Sequence, residues 1–280
     1  MSILTAGTLP KKPTDIIPYL DYMRVWFRMP VSVTTLGYLN KQCGSFDAFD
    51  GPAPFDAAYQ HRLDFRQPSK LALSWIAGQR DYLINYVEIA VDYIFQDAAS
   101  RDDAFDFLDR HLVRRWHGKQ QVVFYGDGSS EKTTRYDAER KSRNKIALYR
   151  QKTCRVTGQF HCLHLEWRLN GVRAVRAAGI VSAKDLVSFD HRSFWLKHLR
   201  LYSAQQERLG RFIRNHKGKG RRRRSDTIDY RLGQAILSRF DRIQELIDTY
   251  RHIRIQRVLT RIEVSELLPG ETIRMGGVAA

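Results

Sequence analysis

Polar and apolar side chains alternate in several short runs of this chain. In Asp21–Arg28 (DYMRVWFR), Met23, Val25 and Phe27 interleave with Tyr22, Arg24, Trp26 and Arg28, the period-two pattern of a strand with one buried face. Pro30 ends it, and Ser32 is placed to cap a short helix through Leu39 that Gly44 stops. Residues 44–58 are rich in Gly, Pro, Asp and Ala and read as a loop. Arg62–Arg66 (RLDFR) is a second alternating strand, and Pro68 and Ser69 introduce a helix, KLALSWIAG, closed by Gly78. Tyr82–Phe95 (YLINYVEIAVDYIF), β-branched and aromatic, carries the strongest strand signal, with Glu88 and Asp92 inside it. In Ser100–Trp116 the pattern turns helical: Ser100 caps, and Phe105, Leu108, Leu112 and Trp116 share a face. Further strands are predicted at Val122–Tyr125, Asn144–Arg150 and His161–Leu169, with a long polar segment, Gly126–Arg143, after the first. Beyond Asp190 the chain reads as helical over Phe194–Ile213, a hinge NHKGKGRRRRSD, and Thr227–Tyr250, where Ile236, Phe240, Ile243, Ile247 and Tyr250 line one side. The pattern implies an α+β sheet domain over residues 15–185 and a basic helical C-terminal region over 190–265.

Composition adds exclusions. With 280 residues and 43% hydrophobic side chains, the chain has material for a core, which rules out global disorder and a fibrous architecture. No run approaches the roughly 20 apolar residues of a membrane helix. The start, MSILTAGTLPKKPTD, lacks the order of a signal peptide. Three cysteines, odd in number and without a CxxC pair, argue against a disulfide framework and a patterned zinc site, so a reducing cytoplasm is the expected location.

Charge changes the picture more. A formal net charge of +17 points to a polyanionic partner, nucleic acid before an anionic membrane surface. Residues 191–262 hold 19 Lys and Arg against 6 Asp and Glu, so most of the excess lies in the last third. Arg208, Arg211, Arg214, Lys217, Lys219 and Arg221, Arg222, Arg223 and Arg224 are expected to neutralise phosphates, which makes binding salt-dependent. The aromatic side chains of Trp195–Tyr202 are suited to stacking on unpaired bases. No helix carries a base-reading signature.

Strand parity then gathers candidate chemistry. Glu88, Ala90 and Asp92 share a face, as do Cys162, His164, Glu166 and Arg168. His164 and Glu166 are about 7 Å apart along a strand, close enough to converge on one cation. With Glu88 on a neighbouring strand they make a two-oxygen, one-nitrogen set that suits Mg²⁺ or Mn²⁺. A plainer account is also open: Glu88 meets an arginine, and His164 and Glu166 bond to each other or to Arg168 on a solvated face. Lys145, Ala147 and Tyr149 share a face of the strand between them. The Tyr149 phenol is placed to attack a phosphodiester, with Lys145, Lys152 and Arg168 lowering its pKa and, with Arg143, holding phosphates. Tyr202, on a basic segment, is a rival nucleophile, and packing is the ordinary use of most of the 13 tyrosines.

In order along the chain, VEIAVDY (Val87–Tyr93), VVFYGDGSS, NKIALYRQK and LHLEWRL (Leu163–Leu169) resemble the motifs of the rolling-circle replication initiators of plasmids and filamentous-type phages, the Rep_trans group. These are related to the His-hydrophobe-His relaxases. The resemblance covers about residues 20–180. It implies a central antiparallel sheet flanked by helices, followed here by the basic helical region. It matches Tyr149 to the nucleophile, Glu166 and His164 to the metal-binding strand, and Glu88 to the early acidic position. The activity it implies is a site-specific endonuclease and strand transferase that nicks and rejoins origin DNA through a covalent tyrosine linkage, assisted by Mg²⁺ or Mn²⁺. The substrate would be single-stranded or melted DNA. Since no GxxxxGK[ST] motif is present, unwinding would fall to a host helicase. Two other readings stand beside it: a non-catalytic repressor or partition factor, and a mobilisation relaxase or transposase with the same chemistry.

Overall fold

The computed structural model describes residues 11–114, 121–125, 134–138, 144–216 and 226–270. The alternating segments become the strands β1 (Asp15–Phe27), β3 (His61–Arg66), β4 (Tyr82–Ile94), β5 (Gln121–Tyr125), β7 (Asn144–Tyr149) and β8 (Cys162–Asn170). Two more strands arise where no alternation announces them, β2 (Ser45–Asp50) and β6 (Thr134–Ala138). Among the described residues these eight form one sheet in the order β2-β3-β1-β4-β8-β7-β6-β5, every neighbouring pair antiparallel. The expected α+β architecture with a central antiparallel sheet is therefore the observed one.

One face of this sheet is dry. Leu20, Met23, Val25 and Phe27 of β1 join Val87, Ile89, Val91 and Tyr93 of β4 and Leu163, Leu165, Trp167 and Leu169 of β8 in the main core. Helices α1 (Val33–Asn40), α2 (Lys70–Ala77), α3 (Ala98–His111), α4 (Val172–Ala177), α5 (Ala183–Val187) and α6 (His191–His198) add side chains to the same core. The other face carries the polar parity of β1, β4 and β8, with Tyr22, Arg24, Glu88, Asp92, His164, Glu166 and Arg168 on it, as an antiparallel sheet with its main core on one side permits.

Ser32 and Ser69 cap α1 and α2 as predicted, each accepting from a backbone N–H three residues on. Four expectations need correction. The segment read as a loop, 44–58, contains edge strand β2, whose side chains are largely exposed and so give no hydrophobic period. Helix α3 is capped by Asp97, three residues before Ser100, and its last helical residue is His111, with Leu112 as its C-cap. The predicted helix Phe194–Ile213 is interrupted by β9 (Tyr202–Ala204), which pairs with β10 (Leu259–Arg261), and resumes as α7 (Gln206–His216). The predicted helix Thr227–Tyr250 is two, α8 (Asp226–Leu237) and α9 (Ile243–Thr249).

The C-terminal elements pack twice. Phe194, Trp195, Leu199 and Leu201, with Ile262, Val264, Leu267 and Leu268, belong to the core of the sheet. Leu209, Ile213, Ile236, Ile243 and Ile247 build a second core, with Phe240 and Tyr250 against it. The apolar stripe predicted for the last helix thus survives its break. Among the described residues no helix is long and apolar enough to cross a membrane.

Candidate active site

Register brings the predicted residues onto one face. Across β4 and β8, Glu88 pairs with Arg168, Ala90 with Glu166 and Asp92 with His164. Across β8 and β7, Tyr149 pairs with His164, Ala147 with Glu166 and Lys145 with Arg168. Three strands therefore present Glu88, Asp92, His164, Glu166, Arg168, Tyr149 and Lys145 from the polar side of the sheet.

A fourth strand contributes through a bulge. The pairing of β1 with β4 shifts between Leu20 and Tyr22, so Asp21 is an extra residue without a partner opposite. Tyr19, before the shift, and Tyr22 and Arg24, after it, all belong to the polar face, and Asp21 reaches it too. An open cleft of about 390 Å³ results, lined by Asp21, Tyr22, Arg24, Arg66, Tyr86, Glu88, Tyr149, Lys152, Arg155, Glu166 and Arg168.

At the centre stands a buried ionisable row. His164 is 0% exposed, and Asp21, Asp92 and Glu166 are each 1% exposed, burial that demands compensation. His164 Nδ1 lies 2.6 Å from Asp92 Oδ1, and its Nε2 lies 3.0 Å from Glu166 Oε2. Tyr19 donates its hydroxyl to Asp92 from 3.3 Å. Burial works against the His164 charge, but Asp92 and Glu166 together hold its proton above the usual range for an imidazole. Glu166 shows the reverse balance: burial pushes its carboxyl up, yet His164, Arg168 and Lys152 pull it down to about 2. Lys152 Nζ is 3.7 Å from Asp21 and 3.9 Å from Glu166, and Arg155 donates to Asp21 at 2.7 Å.

The phenol of Tyr149 meets this row directly. Its hydroxyl donates to Glu166 Oε1 at 3.0 Å and accepts from Arg168 Nη2 at 2.7 Å. Lys152 Nζ lies 4.7 Å from the centre of the Tyr149 ring, and that ring lies 5.3 Å from the His164 ring. Arg168 also donates through Nε to Glu166 Oε1 at 2.5 Å.

Asp21, His164 and Glu166 each offer a ligand atom, and these atoms lie within 4.8 Å of one another. Two carboxylate oxygens and an imidazole nitrogen suit a hard or borderline divalent cation. The Asp92 contact at Nδ1 turns Nε2 of His164 toward Glu166, the outer-shell arrangement that orients a ligating imidazole. These residues fit the cation that the sequence motifs imply. Glu88 is absent from this group. It accepts from Tyr86 at 2.5 Å and lies 3.3 Å from Arg168 Nε, while burial and the charge of Glu166 push its carboxyl up. Asp21 and Arg155 carry parts of the site that strand parity alone does not assign, and Asp92, which parity puts on the Glu88 face, is the acid that meets His164.

The remaining predicted residues lie elsewhere. Lys145 stands opposite Arg168 in register but does not line the cleft. Tyr202 packs against the second core, and its carbonyl accepts from His111 at 2.7 Å. Arg208 and Arg211 are exposed on α7, Arg208 donating to the Arg257 carbonyl at 3.2 Å and Arg211 pairing with Glu207 and Asp226. Arg214 is buried and forms a two-bond fork with Asp229, at 2.7 and 2.9 Å. Arg143, Lys217, Lys219 and Arg221–Arg224 lie outside the described residues.

No protein-family model matches this chain, and neither does any curated protein. Among solved structures it is similar to a rolling circle replication initiator protein from Geobacillus stearothermophilus, at 12% identity and a TM-score of 0.39, over 80% of this chain and 96% of that one.

Proposed function

We propose that this protein is a metal-assisted DNA strand transferase that nicks and rejoins DNA through Tyr149, acting as a replication initiator of the rolling-circle type. The observation that carries this reading is the sharing of one carboxylate. Glu166 turns Oε2 toward His164 and Oε1 toward the Tyr149 phenol, so the nucleophile is hydrogen-bonded to a member of the cation-binding group. A protein that only binds DNA has no use for three ionisable side chains buried together beside a tyrosine.

In this reading Asp21, His164 and Glu166 hold Mg²⁺ or Mn²⁺, which polarises the scissile phosphate when bound. Arg168 stabilises negative charge on the Tyr149 oxygen, and the phenol's proton, hydrogen-bonded to Glu166 Oε1, passes to solvent. The phenol oxygen forms a bond to phosphorus, the bond from phosphorus to the 3′ oxygen breaks, and that oxygen takes up a proton from solvent, leaving a 5′-phosphotyrosine and a free 3′ hydroxyl. Reversal by that hydroxyl rejoins the strand. Lys152 and Arg66, on the rim of the cleft, are placed for neighbouring phosphates. Arg208 and Arg211, with the basic run 217–224, extend the contact to duplex DNA. Arg214 is left out of this set because its guanidinium serves Asp229. Unwinding falls to a separate motor.

The test is cleavage of a supercoiled plasmid bearing the protein's own origin, with Mn²⁺ or Mg²⁺ present. The expected product is a nicked circle with protein attached to the 5′ phosphate. Tyr149→Phe abolishes the adduct and retains DNA binding, and Glu166→Gln loses metal-dependent cleavage. An adduct that persists in Tyr149→Phe rejects the nucleophile and directs attention to Tyr202. A mobilisation relaxase or transposase performs the same bond changes, and is distinguished by cleavage at a transfer origin or an element end instead.

A further inference from the structure

Next to the His164 row, on the same face of the sheet, lie two of the three cysteines. Cys162 opens β8 two residues before His164. Cys154 sits in the β7–β8 loop, which folds back through Gly158 N to Cys154 O at 2.8 Å and Cys154 N to Gln159 O at 2.9 Å. Eight positions separate the two cysteines, so no CxxC spacing discloses them, and the hairpin brings them together. Their sulfur atoms and a carboxylate oxygen of Asp92 lie within 4.8 Å of one another. All three residues are at most 1% exposed, and Ile17, Ala90 and Ile94 wall the pocket.

We propose that Cys154, Cys162 and Asp92 form a second metal site, for a zinc-type divalent ion. Donor chemistry separates it from its neighbour. Two thiolates and one carboxylate select a soft or borderline ion, and Mg²⁺ and Mn²⁺ compete poorly for sulfur. Binding replaces two S–H bonds by metal–sulfur bonds and releases two protons to solvent. The ion's position indicates its use. Asp92 holds Nδ1 of His164 at 2.6 Å, so an ion on Asp92 fixes the carboxylate that orients the imidazole. It also ties to the sheet the loop that carries Lys152 and Arg155 toward Asp21. Asp92 and both cysteines are thus positioning residues, and the proposal does not depend on the phosphodiester chemistry.

The experiment adds Co²⁺ to the reduced, chelator-stripped full-length protein and records the thiolate-to-cobalt charge-transfer absorption. The band is expected to rise to saturation, to be bleached by Zn²⁺ and to be unmoved by Mg²⁺. Cys154→Ser should weaken cobalt binding about tenfold or more. The Cys154→Ser/Cys162→Ser double variant should lose the band. Cys43→Ser, whose thiol sits in the opposite core and donates to the Leu39 carbonyl at 3.0 Å, should keep it. Glu166→Gln should keep it as well, which separates this site from the hard-ligand one. On the wild-type chain alone, Zn²⁺ should raise the unfolding temperature. The proposal is overturned if folded wild-type protein gives no charge-transfer band, or if the band survives in the double variant.

Discussion

At the scale of single residues the bulge in β1 decides which acids face the cleft. Strand alternation runs cleanly through Tyr22, Arg24 and Trp26, and by that parity Asp21 belongs with Met23 on the buried side. The register shift between Leu20 and Tyr22 breaks the count by one, and Asp21 joins the polar face. A bulge depends on pairing with a distant strand, so alternation along β1 cannot reveal it. Glu88 was legible because β4 is regular through that position, yet its carboxylate is taken by Tyr86 and Arg168. His164, Glu166 and Tyr149 were legible for the same reason, regular parity on β8 and β7. The contrast makes a prediction. Asp21→Asn keeps the shape of the site and should lower Mn²⁺ affinity about 10–100-fold. Glu88→Gln should leave that affinity within a small factor. Titration of bound Mn²⁺ by electron paramagnetic resonance measures both, and the opposite ranking would restore Glu88 as the ligand.

At the scale of elements, regular burial is what a sequence displays and long-range pairing is what it hides. Strands β4, β7 and β8 bury one side against helices and alternate accordingly. Strand β2 is an edge whose residues are mostly exposed, so it is held by hydrogen bonds to β3 with no apolar period to mark it. Strand β9 exists because Leu259–Arg261 arrives beside it from more than fifty residues away. The pair α7 and α8 depends on close backbone approach. A Cβ on Gly210 would meet the Asp229 carbonyl oxygen at 1.8 Å, and one on Gly233 would meet that of Gln206 at 1.7 Å. These atoms are backbone and cannot step aside, so the helices themselves must separate, and the Arg214–Asp229 fork stretches with them. Gly233→Ala gains helix propensity but should still lose about 1–3 kcal/mol to overpacking. Urea unfolding monitored at α7 and α8 checks it, and a variant as stable as the parent would mean that the crossing is looser than these distances.

At the scale of the whole molecule, the basic third is not an appendage, because α6 lies within the sheet's own core. Two histidines sit at that junction. His191 is 3% exposed, and burial lowers its pKa to about 4, with Asp190 opposing only in part. His198 is lowered to about 4 by burial and by Lys197 and Arg200. Its ring lies 4.4 Å from both Trp167 and Phe194. Both are neutral in the folded protein near pH 7, whereas an unfolded chain protonates them near 6.5. Below that pH the unfolded state binds more protons, so stability falls as pH drops from 6.5 toward 4. For His191 alone the loss reaches roughly 3 kcal/mol by the low end. His164 contributes with the opposite sign. Its raised pKa adds stability below its unfolded value, and that stability fades as pH rises through the folded one. Glu166, held near 2, adds stability above its unfolded value that is lost only at still lower pH, so above 4.5 the decline comes from His191, His198 and His111, all lowered by burial, against the opposing His164 and the raised Glu88. The wild-type unfolding temperature should therefore decline between pH 6.5 and 4.5, and His191→Phe, which keeps an aromatic ring without a titrating nitrogen, should flatten that decline. An equal slope in the variant would place the acid sensitivity away from the joint between α6 and the sheet.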